Sequence, residues 1–296
     1  LLRLFEQMNN TLKAALWMTG AIVSFSAMAV SGREVSVELD TFEIMTYRSL
    51  VGMAVLWTLL SVTGCWGQVS GRFFGVQVVR NVAHFTGQNL WFYALTVIPL
   101  AQVFALEFTS PIWVVLLSPL ILGERLTRVR VLSVLVGFIG ILVVARPSPD
   151  TISPGLIAAA SSAVFFALTA MFTRRLTRTE SVLCIMFWLT LMQAVLGLAI
   201  SIWDGEMALP TAKTAPWLFL IGCAGLLAHY CLTSALAIAP ATVVVPMDFV
   251  RLPTIAVVGM LVYGEALDVW VFVGALIIFA ANYVNIWFET RTAVKR

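Results

Sequence analysis

Apolar runs of roughly 18–23 residues recur along the whole chain, broken by short polar segments, and each is long enough to cross a bilayer as a helix. The pattern predicts ten spans, at about 13–31, 41–62, 75–96, 99–121, 129–146, 153–172, 182–203, 214–237, 240–262 and 267–288. Little chain remains for a soluble domain. The expected fold is an all-α integral membrane protein.

The pattern also repeats. Ala94-Leu95-Thr96-Val97-Ile98-Pro99 returns as Ala235-Leu236-Ala237-Ile238-Ala239-Pro240, 141 residues later. The same offset carries Glu107-Phe108 onto Asp248-Phe249 and Gly123-Glu124-Arg125-Leu126 onto Gly264-Glu265-Ala266-Leu267. The halves meet near Arg146-Pro147-Ser148-Pro149-Asp150, which divides the chain into repeats 1–150 and 151–296. Five spans per half is an odd number, so the second half enters the membrane from the opposite side. Two inverted five-helix repeats around a central cavity are the expectation, an arrangement suited to a transporter. Pro111 and Pro119 in the fourth span and Pro246 and Pro253 in the ninth predict helices broken near their middles.

Charge assigns orientation. Apolar residues make up 60% and charged residues 11%. With the N-terminus inside, the inner segments hold Arg3, Lys13, Arg72, Arg125, Arg128, Arg130, Arg174, Arg175, Arg178, Arg291, Lys295 and Arg296, against Arg33, Arg146 and Lys213 outside. Both termini are therefore expected in the cytoplasm. The net charge of +3 carries no signal for nucleic acid. Residues 1–10 lack a signal-peptide pattern. Cys65, Cys184, Cys223 and Cys231 have no metal or redox spacing and read as small buried hydrophobes.

Ionisable groups at membrane depth are costly unless paired or wet, so they carry the sharpest signal. Glu107 lies about 12 Å into its span at 1.5 Å per residue, and Asp248 is its repeat mate. Arg48, beside Tyr47, shares the depth of Glu107, which predicts an Arg48–Glu107 pair. Arg251 lies three residues after Asp248, on the same helix face. These charges read either as salt bridges and gate contacts or as the binders of a zwitterion, arginine receiving carboxylate and acid receiving ammonium. Asn81, His84, Gln88 and Trp91 form one polar stripe on the third span, extended by Gln77 and by Arg80, whose side chain is expected to snorkel. His229 is the repeat mate of Gln88, and the two imidazoles read as ligand groups, a proton relay or satisfied core residues. Trp17 is expected beside the cavity. Trp66, Trp203, Trp270 and Trp287 are expected at the membrane interfaces. Glu265 is expected to cap the helix that follows it.

Other classes fall away. The chain has no His-Glu-x-x-His, no Gly-x-Ser-x-Gly and no glycine-rich phosphate loop, so an enzyme and an ATP-driven pump are not expected. No cofactor or metal is implied.

Trp91-Phe92-Tyr93-Ala94-Leu95 through Pro99-Leu100-Ala101, then Pro111 and Gly123-Glu124-Arg125-Leu126-Thr127, resemble the drug/metabolite transporter superfamily in its EamA-type ten-helix branch. Within that branch the chain is most similar to the bacterial aromatic amino acid exporters. The resemblance implies a ten-helix basket in the inner membrane that exports aromatic and other neutral amino acids. Related branches carry S-adenosylmethionine, purine derivatives, sugars and cationic drugs on the same frame, so S-adenosylmethionine uptake and cationic drug export stay open as alternatives. Partners are then the lipid bilayer and a small solute, with monomer and dimer both open. Trp17, Tyr47, Arg48, Asn81, His84, Gln88, Trp91 and His229 are the expected substrate contacts, and Glu107, Asp248 and Arg251 the expected charge pairs or gates.

Overall fold

The computed structural model describes residues 10–121, 127–146, 152–203, 207–238 and 247–293. These form helices α1 (Asn10–Val35), α2 (Thr41–Thr63), α3 (Phe74–Val97), α4 (Leu100–Glu107), α5 (Ser110–Ile121), α6 (Arg128–Ala145), α7 (Pro154–Leu176), α8 (Val182–Trp203), α9 (Ala215–Ile238), α10 (Arg251–Tyr263) and α11 (Val269–Ala293). No strand occurs among the described residues.

Local chemistry sets the helix ends. Asp40 and Glu43 form a reciprocal capping box at the start of α2, each side chain accepting from the other's backbone N–H at 2.8 Å. Gly64 ends α2 at a φ of 66°, a left-handed conformation that costs glycine nothing. Ser153 caps α7, and Pro154 takes its first position, where a missing N–H is tolerated.

Eight described segments have the length and hydropathy of a membrane span: α1, α2, α4 with α5, α6, α7, α8, α9 and α11. The structure thus accounts directly for eight of the ten predicted spans. α3 is long enough at 24 residues, but its polar stripe dilutes its hydropathy. α10 has 13 residues, and the preceding 239–246, with Pro240 and Pro246, lie outside the described residues. So do the Gly123–Leu126 repeat motif and the predicted linker at 147–150.

The packing follows the duplication. α1 lies along α9 and α3 along α7, while α2 pairs with α8 and α6 with α11. An offset of 141 turns α1 into α7, α3 into α9, α2 into α8 and α6 into α11. The first two contacts are therefore one contact seen from each half, and the other two join an element to its own mate. That is the pairing a two-fold axis between repeats produces. Small residues let the mated helices approach: a Cβ on Gly140 would lie 2.8 Å from the Gly274 carbonyl, and one on Gly274 2.7 Å from that of Gly140.

The fourth span breaks at 108–109, between α4 and α5, and the second half breaks at 249–250, its repeat equivalent. Pro111 and Pro253 fall in the first turns of α5 and α10 rather than in mid-helix. They begin the second segment of each broken span, whereas Pro119 sits inside α5 without interrupting it.

Candidate functional site

Both breaks face the axis between the halves, and the charged residues beside them meet there. Arg251 donates to Glu107 Oε1 at 2.9 Å and to Asp248 Oδ2 at 3.2 Å, so one cation bridges two repeat-related carboxylates. The Trp91 indole N–H donates to the other Glu107 oxygen at 2.9 Å. The Arg251 guanidinium lies 4.7–5.0 Å from the ring centroids of Phe25, Phe104 and Phe108, an aromatic cage that offsets part of its desolvation. Arg251 is 4% exposed, whereas the acids keep 17% and 20% of their side-chain surface. Both Glu107 oxygens are engaged, whereas the buried Asp248 Oδ1 has no hydrogen-bond partner among the described residues. One positive charge against two negative ones leaves this cluster with an excess of negative charge. The repeat mate of Arg251 is Ser110, so the cluster has no duplicate.

Arg48 does not pair with Glu107. Its Nη1 donates to the Gln88 side-chain oxygen at 3.0 Å and lies 3.9 Å from the Met28 sulfur, and no carboxylate reaches it among the described residues. Glu107 is instead taken by Trp91 and Arg251, which the linear sequence places 16 residues before it and 144 after it. Arg48 borders a small cavity of about 30 Å³ between α2, α8 and α9, together with Gly52, Gln193, Gly222, Gly225 and His229. Its repeat mate Leu189 lines the same cavity.

The α3 stripe is buried throughout, with Asn81, His84, Gln88 and Trp91 between 0 and 6% exposed. Asn81 donates to the Trp188 carbonyl at 3.3 Å, while its own carbonyl accepts from Gln193 at 2.9 Å. His84 and His229 come together, with ring centroids 6.1 Å apart, and Phe166 and Phe25 flank them at 6.2 and 5.6 Å. Neither ring nitrogen of His84 has a hydrogen-bond partner among the described residues. Arg80 does not snorkel. It is 5% exposed and donates to the Thr173 hydroxyl at 2.7 Å and to the Asn81 side-chain oxygen at 3.0 Å.

Two expected residues stand apart from this centre. Tyr47 donates its hydroxyl to the Ala208 carbonyl at 2.7 Å and so ties α2 to the segment before α9. Trp17 meets Tyr230 edge-on at 5.7 Å, within the small α1–α9 cluster of Ala14, Met18, Ala21, Cys231 and Ala235.

Reading residue by residue missed the contacts that close one face. Arg33, at the end of α1, pairs with Glu265 and donates to the Leu95 and Ile98 carbonyls. Glu265 accepts from Leu100 N–H at 3.0 Å, so it caps α4 in the other half rather than the helix that follows it. Arg146 pairs with Asp268, Glu43 accepts from Ala208 N–H, and the Tyr263 hydroxyl donates to Glu34 at 2.9 Å. The signal was present in the three basic residues on that face, but long-range pairing has no sequence period. Of the interface tryptophans, Trp203 and Trp270 are 92% and 55% exposed, whereas Trp66 packs edge-on against Trp57 at 4.7 Å. Of the cysteines, Cys184 and Cys231 are buried, but Cys65 and Cys223 are only partly so.

The sequence model of the EamA-like transporter family matches twice, at residues 12–146 and 153–287. Along 98% of its length the chain is 25% identical to an S-adenosylmethionine uptake transporter of Rickettsia felis, of which it covers 99%. It is 33% identical to a riboflavin transporter of Brucella anthropi over 71% of the chain and 75% of that protein. A pseudopaline exporter of Pseudomonas aeruginosa is 28% identical over 88% of the chain and 91% of its own length. A solved crystal structure shares the fold, with a TM-score of 0.64 at 19% identity, over 95% of this chain and 98% of that one. Twice-matched and with helices but no strand among its described residues, the chain is a small-molecule membrane transporter rather than an enzyme, and it belongs to the EamA-like transporter family of the drug/metabolite transporter superfamily.

Proposed function

We propose that the protein carries a small zwitterionic metabolite with a flat aromatic part across the bacterial inner membrane by alternating access, both termini being cytoplasmic. Aromatic and other neutral amino acids, moving outward, are the first candidates. The observation that carries this reading is the separation of charge. Among the described residues Arg48 has no acid, and the Glu107–Asp248–Arg251 cluster has one acid too many. A carboxylate suits the first and an ammonium the second. Trp91, Phe25, Phe104 and Phe108 around the acids offer apolar faces for a ring.

A second reading draws support from the full-length similarity to S-adenosylmethionine uptake transporters. That solute has the same carboxylate and ammonium, an extra sulfonium charge and a flat adenine. It fits the same polarity with inward net flux.

The test is counterflow in proteoliposomes with radiolabelled phenylalanine, tryptophan, S-adenosylmethionine and riboflavin, with and without an imposed pH gradient. Counterflow of either amino acid well above empty liposomes supports the first reading, and of S-adenosylmethionine alone the second. Riboflavin alone, which has no zwitterionic head, refutes both. His84→Ala or Trp91→Ala should lower the flux of the carried solute with folding intact; unchanged flux in both removes these residues from the path.

A further inference from the structure

The polar stripe of α3 continues past the central charges toward the end of the helix nearest the loop at 64–73. Arg80 is buried there and, among the described residues, bonded only to neutral groups, the Thr173 hydroxyl and the Asn81 side chain. One turn before it, Gln77 is 1% exposed, and neither its amide oxygen nor its amide nitrogen has a hydrogen-bond partner among the described residues. One turn beyond it, His84 is 3% exposed with both ring nitrogens unpartnered. Gln193 of α8, fully buried, leaves its side-chain oxygen unpartnered while its nitrogen holds Asn81.

Each buried group without a partner is destabilising, because folding strips it of water and returns no hydrogen bond. The fold does not demand this cost. α9 occupies the equivalent place in the second half, and there Gln77, Arg80, Asn81 and His84 are replaced by Leu218, Ile221, Gly222 and Gly225. Apolar and small residues build the same helix, so the polarity of α3 serves something other than packing. Among the described residues neither Arg80 nor Arg48 has a carboxylate partner, which sets the sign of the missing partner. Bulk water would satisfy the amides and imidazole but leaves two buried guanidinium charges uncompensated; an anion answers both.

We propose that Arg80, with Gln77 and His84, forms a second seat for the carboxylate of the solute, about 12 Å along α3 from the Gln88–Arg48 seat at 1.5 Å per residue. The carboxylate passes between the two arginines on its way through the protein, with the imidazole of His84 between them. The proposal rests on the zwitterion reading for its solute, but the anion seat itself is testable without transport.

The experiment uses the purified full chain and two variants, Arg80→Gln and Gln77→Leu. The probe is 3-phenylpropionate, an aromatic carboxylate without the ammonium. It should raise the thermal unfolding temperature of the unaltered protein, and Arg80→Gln should weaken its binding roughly tenfold or more, the scale of one charge-assisted contact. Gln77→Leu should weaken it about threefold while leaving the fold at least as stable, because it removes two unpartnered groups. In proteoliposomes the half-saturation for phenylalanine should rise in parallel, with maximal flux less affected. Unchanged binding in folded Arg80→Gln overturns the seat, and if that variant does not fold, unchanged binding in Gln77→Leu does so. No phenylalanine counterflow in the unaltered protein counts against the proposed solute, whereas phenylpropionate binding that needs Arg80 still establishes the seat.

Discussion

Phe108 and Phe249 stack on one another, ring centroids 4.4 Å apart and planes 22° from parallel. They are also repeat mates, 141 residues apart, so the axis relating the halves runs through their contact. Each sits at the break of its span, directly after the acid that Arg251 holds. The breaks, the acids and the aromatic pair are one assembly.

Truncating Phe249 removes that stack and its contact with Phe279 at 4.5 Å. Phe249→Ala should destabilise the protein by about 2–3 kcal/mol. A double-mutant cycle with Phe108→Ala, followed by thermal unfolding in detergent, should show coupling of about 1 kcal/mol. Simple additivity would mean the rings do not meet.

Arg251 is worth more to the fold than either acid. Arg251→Ala leaves two carboxylates facing each other at membrane depth and should cost about 3–5 kcal/mol. Asp248→Asn leaves Arg251 paired with Glu107 and should cost less. Equal losses in melting experiments on the two variants would refute a bridging role.

Glu265 should behave as a tie between halves. Its removal takes the carboxylate from Arg33, which keeps only the Leu95 and Ile98 carbonyls, and the acceptor from the Leu100 N–H, where the Arg33 and Glu265 side chains are only 15% exposed. Glu265→Ala should cost about 2–3 kcal/mol, and the double variant with Arg33→Ala should cost less than the sum of the two single losses. Fully additive losses would show that the two do not interact.

Glycines around the cavity separate packing from passage. A Cβ on Gly222 would lie 2.7 Å from Val51 and 2.9 Å from the Arg48 carbonyl, so Gly222→Ala forces α2 from α9 and should cost about 1–3 kcal/mol. Gly225 has only the Met28 sulfur near, at 3.6 Å. Gly225→Ala should fold normally, while its methyl narrows the space beside His229 and lowers solute flux. Matching stability with unchanged flux would place Gly225 off the path.

The sequence by itself determined the helical membrane architecture, because apolar span length and the offset of 141 are local or strictly periodic signals. It also pointed to the Asp248–Arg251 contact, although the break at 249–250 lies between the two residues, and it determined that Asn81, His84, Gln88 and Trp91 share a side of α3. Which charge faces which across the halves was decided only by tertiary structure. Arg48 met Gln88 rather than Glu107, Glu265 capped α4 rather than its own neighbour, and Arg80 turned inward to Thr173. Each of those contacts joins elements whose approach depends on the packing of whole helices, and depth in a span fixes a residue's height but not its azimuth. The inward turn of Arg80 is what places a second uncompensated cation on the α3 stripe.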